Sequence, residues 1–160
     1  MDLDKEFSQD EIAALRTLLE TEKIRSMRHQ YNYFIETRQL RALADLFTED
    51  GLCEFGPYGA WQGRETIYES YCGVFVDHWA PKFSTLHVNS NHMIELTGAD
   101  TATGKCYLVD VDATKKPDEQ PIAWFAYYDE DYRKVDGAWK IARSTIEFIW
   151  PERLLTRLTE

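Results

Sequence analysis

The sequence predicts an α+β domain whose helices pack on one face of a curved, mostly antiparallel sheet and leave a pocket between the two layers. Three observations predict it. Apolar residues recur at helical spacing through the first half of the chain and at period two through the second half. Elements segregated in this way form helix-on-sheet layers rather than alternating βαβ units. The 160 residues suffice for one ordinary domain with a single sizeable core, so residues 1–160 read as one domain.

Residues 1–7 read as a frayed tail. Ser8 and Glu11 then form a capping box at a helix start, the serine oxygen and the glutamate satisfying free N–H groups. Ile12, Leu15, Leu18 and Leu19 follow at helical spacing. Thr21 is placed to cap a second segment carrying Ile24, Met27, Tyr31, Phe34 and Ile35, which ends near Glu36–Arg38. A short third helix carries Leu40, Leu43, Leu46 and Phe47. Thr48–Gly51 reads as a turn, Leu52–Phe55 as a short strand, and Ala60–Gln62 as its return. A helix from Gly63 to about His78 puts Ile67, Tyr71, Val74 and Phe75 inward, and Pro81 closes the loop after it.

The remainder reads as β. Phe83–Leu96 alternates, with Leu86, Val88, Ile94 and Leu96 at even positions and Thr85, His87, Asn89 and Asn91 at odd ones. Ala102–Ala113 follows, then a polar turn over 115–120, then the aromatic-rich run Ile122–Arg133. Asp136-Gly137 is a hairpin dipeptide leading to the last strand, Trp139–Trp150, which Pro151 terminates. A short amphipathic segment, Leu154–Leu158, follows.

Composition excludes several functions. The net charge is −10, with acidic residues spread along the whole chain, and such a field repels nucleic acid and anionic membrane surfaces. The apolar runs are too short to span a bilayer, and the N-terminus lacks the basic and apolar regions of a signal peptide. A cytoplasmic location is therefore expected. Cys53, Cys72 and Cys106 stand far apart, as buried reduced thiols would. Aromatics form 14% of the chain, which suits side chains wrapped around a cavity and suits a dense core equally well.

Period two puts His87 on the polar side of its strand, and two accounts fit. Either that side faces solvent, or it lines an internal pocket and His87 is the base in it. Glu36 stands at a helix C-terminus, where the macrodipole disfavours a carboxylate. It is either an exposed charge with Arg38 nearby, or the partner that fixes one imidazole nitrogen and raises the basicity of the other. Tyr31 lies on the inward stripe of its helix, so its phenol needs a buried partner. Asp110, amid Leu108, Val109 and Val111, is either edge-facing or buried for a purpose, and Asp112 shares its face. His87 and His92, five apart, fall on opposite faces of a regular strand and cannot clamp one metal. His29 and His78 have unrelated spacings, so no metal site is expected. Gly56, Gly59 and Gly63 do not have the spacing of a dinucleotide loop, and there is no P-loop or G-x-S-x-G elbow.

The order of these parts resembles a known superfamily. A helix with Gln30-Tyr31…Glu36 leads to Leu43-Ala-Asp-Leu-Phe-Thr-Glu-Asp-Gly51 and Trp61-Gln-Gly-Arg-Glu-Thr-Ile67. His87…Asn91, Gly98–Gly104 and Asp136-Gly-Ala-Trp-Lys-Ile141 follow. Over about residues 10–150 the chain resembles the SnoaL-like branch of the nuclear transport factor 2-like superfamily. Within it the pattern is most similar to bile acid 7α-dehydratase, scytalone dehydratase and hexachlorocyclohexane dehydrochlorinase. The resemblance implies a cone-shaped α+β barrel that is a homodimer or homotrimer through the outer face of its sheet. It implies a small-molecule substrate and a strand histidine partnered by a helix-end carboxylate.

His87 and Glu36 match that pair, although the relatives usually carry Asp. Tyr31 matches a pocket tyrosine and Asp110 a functional aspartate, while Phe148 stands where the bile acid dehydratase carries an arginine. The expected activity is a cofactor-independent, lyase-like elimination or isomerisation on a small, apolar, possibly cyclic substrate. His87, Glu36, Tyr31 and Asp110 would be its catalytic groups, with Phe34, Phe55, Phe75, Tyr107, Phe125 and Phe148 as walls. The alternative is a non-catalytic subunit, like the small subunit of ring-hydroxylating dioxygenases, or a ligand-binding module of the same fold.

Overall fold

A computed structural model describes residues 7–76, 84–112 and 123–150. The tail expected before residue 7, the stretch around His78 and Pro81, the turn over 115–120 and the segment 154–158 lie outside the described residues.

Where two helical segments were expected, the chain forms one helix, α1, Gln9–Thr37. The capping box at its start is present: Ser8 N–H donates to Glu11 Oε2 at 2.8 Å, and Glu11 N–H to Ser8 Oγ at 3.3 Å. Thr21 does not interrupt the helix, because its hydroxyl turns back to the Leu18 carbonyl at 3.0 Å. Between Gln9 and Thr37 there is no Gly or Pro to break the hydrogen-bond ladder. In its second half Ile24, Met27, Tyr31 and Ile35 are buried in the core, while in its first half Ile12 is buried, Glu20 accepts from Trp139 Nε1 on the sheet at 2.7 Å, and Leu15, Leu18 and Leu19 are exposed. The helix stops at Arg38, whose left-handed backbone (φ 60°) sends its N–H to the Phe34 and Ile35 carbonyls. The short helix α2, Leu40–Ala44, follows, and α3, Arg64–Val76, packs beside it.

Six strands make one open sheet in the order β2-β1-β6-β5-β4-β3. β1 (Phe47–Glu54) runs through Thr48–Gly51, where a turn was expected, and Leu46 and Phe47 precede or begin it instead of ending a helix. It pairs in parallel with β6 (Ala138–Trp150), while β2 (Ala60–Gln62) returns antiparallel to β1. β3 (Thr85–Leu96), β4 (Thr101–Asp112), β5 (Ala123–Val135) and β6 form the antiparallel meander. The one parallel contact makes the sheet mixed, and β2 and β3 remain as its edges. Between this sheet and α1 and α3 lies a core that includes Phe47, Phe55, Ile67, Leu108, Tyr128 and Ile141. Cys53 and Cys106 are buried thiols and Cys72 is half-buried. Among the described residues no helix is long and apolar enough to cross a membrane.

The strand carrying His87 departs from simple alternation. Its pairing with β4 slips between Ser90 and Met93, and Asn91 sits at the slip with φ 51°. An extra residue of this kind is a β-bulge, and it exchanges the faces of everything beyond it. Thr85 and His87 therefore face inward before the bulge, and His92, Ile94 and Leu96 face inward after it. Leu86 and Val88, expected to be buried, point outward and are 52% and 44% exposed. The expectation that His87 and His92 lie on opposite faces is overturned for the same reason.

Candidate active site

His87 and Glu36 meet where the C-terminal end of α1 crosses β3. His87 Nδ1 lies 2.7 Å from Glu36 Oε1, the same oxygen accepts the His87 backbone N–H at 2.7 Å, and Thr85 Oγ1 donates to Oε2 at 3.0 Å. The carboxylate is 5% exposed, so the reading of Glu36 as an exposed charge offset by Arg38 does not hold. Three donors offset its desolvation, which a buried carboxylate requires. Arg38 instead donates to Ser84 Oγ at 2.9 Å and lies over the Phe75 ring. The longer glutamate side chain spans from helix to strand backbone, a reach its extra methylene allows. In a neutral imidazole a carboxylate acceptor on Nδ1 selects the tautomer with the proton on that nitrogen and the lone pair on Nε2.

Nε2 faces a cavity of about 370 Å³, in the size range of small-molecule sites. α1 supplies Tyr31 and Ile35 to its wall, and α3 supplies Tyr71, Val74 and Phe75. Phe55 and Trp61 also line it, and β4, β5 and β6 add Leu108, Trp124, Tyr128, Ile146 and Phe148. Asp110 lies directly opposite His87 in the β3–β4 ladder, so the two share the inner face, with Nε2 3.8 Å from Asp110 Oδ1. Asp112, which period two sends to the same face, also reaches the cavity. That face is the interior rather than solvent.

The expected walls divide evenly. Phe55, Phe75 and Phe148 line the cavity. Phe34 packs against the core without reaching it. Tyr107 and Phe125 occupy odd positions on β4 and β5, point to the outer face, and are 46% and 45% exposed. The even positions supply the inner wall, so Trp124 and Tyr128 stand where Phe125 was expected. Strict alternation around the buried Ala126 was the signal that would have found them.

Tyr31 and Tyr71 are buried, line the cavity and hydrogen-bond to each other through their hydroxyls. Burial pushes the Tyr31 phenol up to about 12, although the neighbouring Arg28 works in the opposite direction. Tyr71 is pushed well above the usual phenol range, again by burial.

Behind this wall lies a buried polar layer that sequence reasoning missed. Arg28 is 0% exposed, with its guanidinium carbon 3.9 Å from the Tyr31 ring centre and 3.8 Å from that of Tyr128. Its Nε is 3.2 Å from Glu130 Oε2. Glu130 also accepts from Tyr132 Oη at 2.6 Å and Ser144 Oγ at 2.7 Å, and His92 Nε2 lies 3.0 Å from Tyr132 Oη. His92, Cys106 and Glu130 stand close enough together to suggest a cation. However, the carboxylate is already engaged by two hydroxyls and a guanidinium, so these residues fit a hydrogen-bond network better than a metal site. The spacing of Arg28 from Ile24 and Ile35, and of Glu130 from Tyr128 and Tyr132, was the available signal.

An open, mixed sheet with helices over one face and a pocket between them is the nuclear transport factor 2-like fold. Within that class the chain belongs to the SnoaL-like domain family, whose profile matches residues 16–145. A scytalone dehydratase-like protein from Novosphingobium aromaticivorans is 25% identical, with 83% of this chain and 86% of that one covered and a TM-score of 0.73. The hexachlorocyclohexane dehydrochlorinase of Novosphingobium barchaimii is 20% identical over 86% of this chain and 91% of that one, also at a TM-score of 0.73. At that identity the second likeness speaks for the fold alone. Comparison with curated protein sequences finds no match.

Proposed function

We propose that the protein is a cofactor-independent lyase acting on a small, largely apolar molecule, with His87 as its general base. The observation that supports this best is the 2.7 Å contact between His87 Nδ1 and the buried Glu36 carboxylate, which leaves Nε2 for a cavity lined mostly by aromatic and aliphatic side chains. Glu36 holds the tautomer and stabilises the imidazolium once Nε2 takes a proton. Tyr31 hydrogen-bonds the oxygen on which charge develops. Asp110, opposite His87 in the ladder, is positioned to exchange a proton with the imidazolium or the leaving group.

The test replaces His87 by Gln, which keeps a polar side chain of similar reach but no general base. Hydroxylated and halogenated cyclic ketones and acids are screened for loss of water or halide. Turnover is expected to fall by roughly 10²–10⁴ while fold and ligand binding change little. A turned-over substrate on which the mutant matched the wild type would remove His87 as the base. Saturable ligand binding with no turnover by either protein would favour the binding-module reading.

The same reading includes self-association through the outer face of the sheet. Leu86, Val88 and Met93 on β3, Tyr107 on β4, Phe125 on β5, and Ile149 and Trp150 on β6 are exposed there. A second copy of the chain is the proposed cover for this apolar face. A monomeric mass by light scattering at micromolar concentration would contradict it.

A further inference from the structure

We propose that Asn32 is a positioning residue for His87. Together with Glu36, one helical turn further on, it takes the place of a neighbouring strand along the open edge of β3. The pair thereby fixes the direction in which the imidazole leaves the backbone. The inference rests on the lyase reading above for its consequence in turnover, and it adds to the site a residue that does not line the cavity.

β3 is an edge of the sheet, with β4 on one side only. Along such an edge every second residue turns its backbone N–H and C=O away from the ladder, where no strand meets them. His87 is one of these residues. Its N–H reaches Glu36 Oε1 at 2.7 Å, and its C=O accepts from Asn32 Nδ2 at 3.0 Å. An adjoining antiparallel strand gives a residue at such a position the same pair of bonds. Here both come from α1, from side chains that share one face of the helix. The slip between Ser90 and Met93 disrupts the β3–β4 ladder close by, which leaves more of the alignment of His87 to the helix.

Asn32 is half-buried, and among the described residues its Oδ1 is buried without a hydrogen-bond partner. A leucine of similar shape fills the same space and leaves no oxygen unsatisfied. Packing alone therefore gives no reason for an amide here, and its bond to the His87 carbonyl does. A carbonyl only accepts, so Nδ2 is the atom turned toward it.

The two backbone bonds hold the peptide planes on either side of the His87 Cα, and those planes set the Cα–Cβ direction. The third bond, from Nδ1 to Glu36 Oε1 at 2.7 Å, then orients the ring about that direction. A general base has to meet its proton within hydrogen-bond reach, and a misplacement of about 1 Å costs up to roughly 10² in rate. With Asn32 removed, the peptide plane after His87 is released and Glu36 alone holds the residue to α1. Because Asn32 does not line the cavity, the effect falls on kcat and not on KM.

The test uses the full chain labelled with ¹⁵N, free of ligand and with the imidazole neutral, as wild type, Asn32→Leu, Asn32→Ala and Ile24→Val. Ile24 is buried on the same helix, and trimming it lowers stability about as much as losing one hydrogen bond. In the wild type the His87 ring ¹⁵N shifts are expected to show the tautomer protonated on Nδ1. In both Asn32 variants they are expected to move toward the average of the two tautomers. Hydrogen exchange at the His87 backbone N–H is expected to quicken roughly two- to tenfold. On any ketone or acid that the wild type turns over, kcat is expected to fall by a similar factor with KM unchanged. Ile24→Val is expected to keep the wild-type shifts and kcat.

Unmoved ¹⁵N shifts in both Asn32 variants, or an equal movement in Ile24→Val, overturn the proposal. If the shifts move as expected while no protein turns a substrate over, Asn32 holds His87 and the lyase reading falls. If His87→Gln abolishes turnover while the Asn32 variants keep wild-type shifts and kcat, the base stands and Asn32 loses its role.

Discussion

β3 carries two histidines on one face, five residues apart, and their surroundings give them opposite chemistry. His87 has a carboxylate on Nδ1 and a cavity at Nε2. His92 has its Nε2 on the Tyr132 hydroxyl and sits near the Arg28 guanidinium. Burial first, and Arg28 second, push His92 down to about 4, so it is neutral near pH 7 and donates to Tyr132. A histidine's partner and its exposure, more than its place in a strand, decide whether it offers a lone pair to a ligand or completes an internal network.

The largest expected contrast is in turnover. On the substrate class tested above, His87→Gln is expected to lose roughly 10²–10⁴ in rate, whereas His92→Gln stays within a few-fold of wild type. Parallel steady-state assays check this, and comparable losses in both mutants would dissolve the distinction.

A stability contrast comes next. Arg28→Met leaves Glu130 buried without its cation and is expected to destabilise the fold by about 3–5 kcal/mol. Arg28→Met/Glu130→Gln is expected to recover most of that, and urea unfolding of the three proteins measures it. If the single and paired variants are equally unstable, the ion pair is not the source.

Smaller again is the effect of Glu36→Gln. The amide still fills the space and accepts from the strand N–H, but it cannot stabilise an imidazolium. A loss of roughly 10-fold or more in kcat is expected, with little change in KM, as for an interaction realised only in the transition state. An unchanged kcat would separate Glu36 from the chemistry.

The smallest effect is on pH dependence. The folded pKa of His92 lies below its unfolded value, so the unfolded chain binds the proton first as pH falls. His92 therefore contributes its full stability above about 6.5 and loses it progressively toward about 4. On the order of 1 kcal/mol of the wild-type loss in this window is expected to be missing in His92→Gln, a figure lowered for the part-exposure of the ring. Unfolding midpoints at several pH values would show parallel curves if His92 contributed nothing.

The sequence by itself determined the fold class, because helical and period-two patterns occupy separate halves of the chain and each pattern dictates one kind of element. It also brought His87, Glu36, Tyr31 and Asp110 forward by residue type and order. Only the tertiary structure decided which way the strands face. One residue of bulge at Asn91 lets His87 and Ile94 share a face that simple alternation keeps apart, and local sequence carries little trace of such a slip. Tyr107 and Phe125 were misplaced for a related reason: with large aromatics on both faces of β4 and β5, hydrophobicity does not distinguish inside from outside. The Arg28–Glu130 pair and the Tyr31–Tyr71 hydroxyls lie 102 and 40 residues apart in the chain. Such pairs form only when helix and sheet are packed together, since it is desolvation between the layers that makes each polar group need the other.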